Sequence, residues 1–186
     1  MERFDKDGLL MPTEALGRRF VVDAAHASAG QLALSRRRAA AAASIERQGF
    51  RIGNLCLLTP YERVSELTEM MPIYRVPNTA AWLHGLANLH GNLVPVADLG
   101  ELLGVVHQRQ AKTMLLVLGQ GENAVAVIID GLPVRHKLAK QDQVHLPAMP
   151  QALHGFVTGA YTKEAQVWLE FDHERFFDAM ANQIAA

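Results

Sequence analysis

From Phe50 onward, short runs rich in Val, Ile and Leu recur along the chain, with Gly, Pro, Asn and Asp standing between them. The runs fall at 55–58, 86–89, 93–97, 113–118, 124–129, 155–161 and 166–171. Apolar runs of that length bounded by turn formers read as strands of a sandwich or small barrel. Between them no stretch repeats with helical period for long enough to serve as the crossover that parallel strands require. Asp172 can cap one last helix, in which Phe176, Phe177, Met180 and Ile184 share a face. Periodicity therefore reaches a mainly β, barrel-like fold.

Residues 76–99 are the densest in folding instructions. Val76 precedes Pro77 and is held extended. Asn78 can cap a short helical turn through Ala80, Ala81, Trp82 and Leu83, which Gly85 ends. The runs 86–89 and 93–97 suit a hairpin joined at Gly91-Asn92. Asp98 and Glu101 form a candidate capping box for a one-turn helix ending at Gly104. The segment holds almost no nucleophile, base or ligand, which points to a binding module.

This segment resembles the signature of the CheW-like coupling proteins of bacterial chemosensory systems. Pro77-Asn78, Gly85, Asn88-Leu89, Gly91, Pro95 and Asp98-Leu99 stand in its register. Val64-Ser65-Glu66-Leu67, Val127 to Gly131 and Val167 to Asp172 extend the likeness over about residues 48–182. His90 is the departure, standing where the family usually has Arg. The resemblance implies two SH3-like five-stranded β-barrel subdomains over residues 48–186. An N-terminal, partly helical extension over 1–47 and a short C-terminal helix complete the expectation. The extension, with the Trp82-Leu83-His84-Gly85 form of the motif, resembles the PilI-type adaptors of type IV pilus systems.

Composition bounds the function from the other side. The chain has 186 residues, formal net charge −1 and nearly half apolar residues, as a globular protein does. Lys and Arg number 8 against 6 acids over residues 1–48, and 10 against 13 beyond. Ala and Arg favour a helix from about Gln31 to Gln48, with Arg36, Arg37 and Arg38 as a solvated face. The acidic body with scattered aromatics fits poorly with nucleic-acid binding. No apolar run approaches the ~20 residues of a membrane helix, and acids in the first residues do not suit a signal peptide. The cytoplasm is the expected compartment. Cys56, alone among leucines, reads as a buried strand residue.

Candidate chemistry is thin. Gly119-Gln-Gly-Glu-Asn-Ala124 fits a loose nucleotide fingerprint, but a strand follows where a phosphate-binding helix is required, so a hairpin turn is the better reading. Among eight histidines no pair has metalloprotease spacing, and one cysteine builds no zinc motif, so neither metal nor cofactor is expected. Serines at 28, 35, 44 and 65 lie outside any nucleophile elbow. Asp98, Asp130 and Asp172 sit at strand ends, where capping accounts for them. No enzyme is expected.

The resemblance implies an adaptor without chemistry of its own. It implies two partners, a chemoreceptor's cytoplasmic tip and a CheA-type histidine kinase. The adaptor is expected as a monomer in isolation, assembled into arrays at the inner face of the membrane. The receptor contact is expected near Val64, Glu66, Gly85, Asn88, His90 and Gly91, and the kinase contact near Asp130 and Gly131. A flagellar adaptor, a ligand-sensing barrel and a nucleic-acid-binding barrel are the alternatives.

Overall fold

The computed structural model describes residues 44–184. Twelve strands run through them: β1 (Ile45–Ile52), β2 (Leu55–Pro60), β3 (Val64–Glu69), β4 (Ile73–Tyr74), β5 (Leu83–Leu89) and β6 (Asn92–Ala97) come first. After them come β7 (Thr113–Leu118), β8 (Val125–Asp130), β9 (Val134–Leu138), β10 (Gln143–Val144), β11 (Val157–Lys163) and β12 (Gln166–Phe171). Two α-helices, α1 (Leu99–Leu103) and α2 (His173–Ile184), complete the set.

The strands form two six-stranded sheets. Sheet one has the order β10-β11-β12-β2-β1-β9, and sheet two β3-β7-β8-β6-β5-β4. The chain opens sheet one, builds all of sheet two, then returns to complete sheet one. Each sheet carries one strand more than the expected five, and in each an edge strand of two residues, β10 or β4, is too short to leave a sequence pattern. Two parallel pairings also occur, β12 with β2 and β6 with β8, each over two residue pairs. Neither needs a long crossover helix: α1 and β7 carry the chain from β6 to β8, and all of sheet two lies between β2 and β12.

Burial explains why the central strands read as unbroken apolar runs. In β7, Met114, Leu116 and Leu118 enter a core shared by both sheets, together with Phe50, Leu57, Val127, Ile129 and Phe171. The alternate residues Leu115 and Val117 enter a second core inside sheet two, with Val94, Val96 and Ile128. A strand packed on both faces has no solvent face to fill with polar residues. A third core within sheet one gathers Cys56, Leu58, Leu138, Tyr161 and Trp168. Burial pushes the Cys56 thiol above its ordinary value, consistent with an inert core thiol.

Three local expectations change. Ile45–Gln48, expected to end a helix, begin β1; they pair with β9, and Ile45 packs on the sheet-one core. Strand pairing with β9 outweighs local propensity at these four residues. The rest of that expected helix lies outside the described residues. Asn78 does not cap a helix: it has φ 62°, and a single turn closes with Leu83 N donating to Ala80 O. The capping box at α1 is half formed. Asp98 Oδ1 accepts from Glu101 N at 3.1 Å, but Asp98 N donates to Trp82 O at 2.7 Å, leaving the Glu101 carboxylate without that role. At the other end α2 begins as expected, with Arg175 N donating to Asp172 Oδ1 and Phe176 fully buried.

Candidate functional site

The hairpin of β5 and β6 turns at His90-Gly91, one residue earlier than the sequence suggested, with Leu89 facing Asn92. Both central residues have positive φ, 51° and 90°, as a two-residue turn matched to strand twist requires. Asn88 Oδ1 accepts from Gly91 N at 2.8 Å and fixes the corner. Histidine is among the side chains enriched in the left-handed region, which gives position 90 a backbone reason to hold His.

His90 Nε2 lies 3.0 and 3.1 Å from the two carboxylate oxygens of Glu66 on β3. Three strands separate β3 from β5 in the sheet order, so this contact shows sheet two rolled upon itself. The His90 side chain is 75% exposed and Glu66 33%. Around the rolled sheet, Leu67, Met70, Tyr74 and Leu93 present apolar surface to solvent. Val64, at the start of β3, is half-buried against the shared core. Gly85 is buried with φ 139°, and a Cβ there would stand 2.2 Å from Tyr74 O, so only glycine fits beneath that strand crossing.

Of the six residues expected at the receptor contact, the structure thus joins Glu66 with His90 and Asn88 with Gly91. Gly85 lies inside the same hairpin, and Val64 leans on the core. Asp130 and Gly131 fall elsewhere, at the far end of β8. Asp130 is not a surface group: its side chain is 1% exposed. Its Oδ2 accepts from Gly53 N at 2.5 Å and Gln108 N at 3.0 Å, and its Oδ1 faces His107 Nδ1 at 2.8 Å. Gly131, with φ 76°, makes the turn that follows and presents Leu132, 72% exposed.

His107 is the residue the sequence reading missed. Its other nitrogen, Nε2, lies 2.9 Å from Asp98 Oδ1, so one imidazole bridges two buried carboxylates. Burial pushes its pKa down, but the hydrogen bonds and charges of Asp98 and Asp130 outweigh this and hold it above the ordinary value. The bridge ties the loop after α1 to the ends of β6 and β8. Asp98 and Asp130 were legible as strand-end carboxylates, whereas nothing in the spacing of His107 marked it as their link. Among the described residues, His84, Asp98 and Glu101 also bring three donor atoms within 4.8 Å of one another.

Two other histidines sit in apolar settings. His136 packs tilted against Trp168, ring centroids 4.4 Å apart, in space kept open by Gly49, where a Cβ would meet both rings. His173 Nδ1 pairs with Thr59 Oγ1 at 2.9 Å. Burial lowers the pKa of both. One recess is an open groove of about 850 Å³ edged by Gly53, Cys56, Val105, Pro147 and Val167. It is not the enclosed, polar-tipped cavity of a small-molecule sensor.

Comparison with known proteins accords with this architecture. The chain is 28% identical over 138 residues to Protein PilI of Pseudomonas aeruginosa, covering 70% of this chain and 77% of that protein. It is 30% identical over 73 residues to the chemotaxis protein CheW of Klebsiella aerogenes, covering 38% of this chain and 43% of that protein. The crystal structure of the scaffolding protein TtCheW from Thermoanaerobacter tengcongensis superposes with TM-score 0.57 at 18% identity, over 69% of this chain and 88% of that one. The profile of the CheW-like domain matches residues 48–181, from within β1 through most of α2. The chain belongs to the CheW-like family.

Proposed function

We propose that this protein is a non-enzymatic adaptor that couples chemoreceptors to a CheA-type histidine kinase, in a chemosensory system that controls type IV pilus twitching. The CheW-like match over residues 48–181 is the observation that carries the reading. The similarity to PilI over most of both chains favours the pilus pathway over the flagellar one. Among the described residues no helix is long and apolar enough to cross a membrane. The adaptor then reaches the inner face of the membrane through its receptors.

In this reading the receptor tip meets the rolled edge of sheet two, where Glu66 and His90 offer a carboxylate and an imidazole beside the apolar side chains of Leu67 and Leu93. Gly85, Asn88 and Gly91 set the shape of that edge, and Val64 anchors its first strand. The kinase meets the turn at Gly131 and Leu132, and Asp130 contributes by holding that turn from inside. Coupling then means that a receptor-induced change at one surface alters affinity at the other, and reciprocally.

The test is reconstitution. The purified chain, a receptor signalling tip and the kinase's regulatory domain are expected to form a ternary complex in which kinase activity follows the receptor state. A chain that binds neither component overturns the proposal. Deletion in the host separates the pathways: lost twitching with intact swimming supports the pilus assignment, and the reverse supports the flagellar one.

A further inference from the structure

We propose that His84, Asp98 and Glu101 form a site for a divalent first-row transition metal of the zinc class, fastening β5 to the start of α1. His84 Nε2 stands 3.5 Å from Glu101 Oε2 and 3.7 Å from Asp98 Oδ2. Those separations exceed the about 2.7–2.9 Å of a charge-assisted hydrogen bond. They lie near the roughly 3.3 Å edge of a tetrahedron whose metal–ligand bonds are about 2.0–2.1 Å. Both separations from His84 thus suit ligands around a small ion, and all three atoms lie within 4.8 Å of one another.

Asp98 supplies an independent indication. Its side chain is only 9% exposed, and both hydrogen bonds it accepts fall on Oδ1, from Glu101 N and His107. Oδ2 therefore faces His84 and Glu101 with no donor within hydrogen-bond distance among the described residues. That oxygen is not sealed from solvent, so water serves it when no ion is bound and an incoming cation can displace that water. Glu101 is available for the same reason its capping box is incomplete: the Asp98 backbone N–H is already taken by Trp82 O.

Around the three donors the structure places the kind of support that metal ligands use. His107 grips Asp98 Oδ1 and is itself gripped by Asp130, so the carboxylate's orientation is fixed before any ion arrives. Three carboxylates, Asp98, Glu101 and Asp130, share this region, and one bridging imidazole cannot balance them all. One imidazole nitrogen with two carboxylate oxygens suits Zn²⁺ or Mn²⁺ better than Ca²⁺, which takes six to eight oxygens. Glu101 and His84 are 50% and 31% exposed, which leaves an entry path and room for water as a further ligand.

Linear spacing hides the set. His84 and Asp98 are separated by the whole hairpin, and the antiparallel pairing of Leu83 with Ala97 brings their neighbours side by side. Glu101 joins them one helical turn later.

Titration calorimetry and thermal unfolding of the full chain, stripped with chelator and then given Zn²⁺ or Mn²⁺, test the site. The expected result is saturable binding of one ion per chain and a raised Tm. Binding is expected to weaken at least tenfold in His84→Ala and in the milder, half-exposed Glu101→Gln, and to be unchanged in His145→Ala, which removes an exposed histidine elsewhere. Absence of saturable binding overturns the site. So does binding that neither substitution at the site weakens, or that His145→Ala weakens equally, since the ions would then sit on surface histidines.

Discussion

Sheet two holds two histidine–carboxylate contacts of nearly equal length and opposite circumstance. At the hairpin tip, His90 meets Glu66 at 3.0 Å in the open. At the far end, His107 lies 2.8 Å from Asp130 and 2.9 Å from Asp98, with both carboxylates buried. Distance alone would rank them alike. An exposed pair is solvated and screened, so it contributes little to folding and remains available to a partner. The buried one is woven into backbone N–H groups and cannot be exchanged for an outside contact without opening the structure. The contrast separates an exchangeable surface contact from an internal fastening within a single sheet.

Asp130→Ala is expected to have the largest effect, a loss of about 3–5 kcal/mol, because it strands a bridging imidazole and two backbone donors at Gly53 and Gln108. Chemical denaturation reads this directly, and a midpoint like the wild type's would erase the distinction drawn above. Gly85→Ala follows at roughly 2–3 kcal/mol, from positive φ together with the close Tyr74 carbonyl. If Gly85→Ala folded normally and lost only receptor binding, its glycine would serve docking instead of the strand crossing.

The histidines without carboxylate bonds sharpen the comparison through pH. His136 is faced by Glu164, Lys163 and Arg51, and His173 by Glu174, Asp172 and Arg63, yet burial leads and lowers both pKa values. A lowered folded-state value means the unfolded chain takes up protons first. Their stabilisation is then fully present above about pH 6.5 and is lost as pH falls below it and through the lowered folded values. Between about pH 8 and 5.5 a His136→Gln, His173→Gln double variant should lose less Tm toward acid than the wild type, while His107, whose value is raised, contributes the opposite slope in both. Equal slopes would assign the acid sensitivity to other groups.

The smallest effect on folding belongs to the tip. Glu66→Gln or His90→Arg should change stability by no more than about 0.5 kcal/mol, since the pair is exposed. Their effect should instead appear in receptor-tip affinity, measured by titration of the tip against each variant. Arginine would restore a permanent charge and up to five donors at the turn. Unchanged affinity in both variants would leave the tip a turn and nothing more.

How far the sequence could be read depended on which strands lay inside a sheet. The central strands β7 and β8 are buried on both faces, so their apolar runs were plain. The edge strands β3, β4, β9 and β10 do not stand out by apolar content, and the reason is physical. Val64-Ser-Glu-Leu-Thr-Glu69 and Val134-Arg-His-Lys-Leu138 carry charges that discourage further strand addition. β1 was masked differently: Arg47 and Arg51 lie along it, Arg47 paired with Glu170 on β12 and Arg51 over the Trp168 ring. At the candidate site the turn, the cap and the strand-end carboxylates were visible as local chemistry. The Glu66–His90 contact and the His107 bridge were not, because each joins residues that only the rolled sheet brings together.

The insertion of sheet two between the halves of sheet one carries a consequence for how the molecule is made. A ribosome delivers β1 and β2 first, but their neighbours β9 and β12 emerge last. Every strand of sheet two is available before sheet one can close. Sheet two can therefore assemble first, while β1 and β2 wait with unpaired edges for partners about 80 to 110 residues away. Such distant pairings slow folding and leave apolar strands open to wrong partners in the interval. The order of synthesis thus makes sheet one, not the sheet carrying the exposed hairpin tip, the vulnerable half during biogenesis.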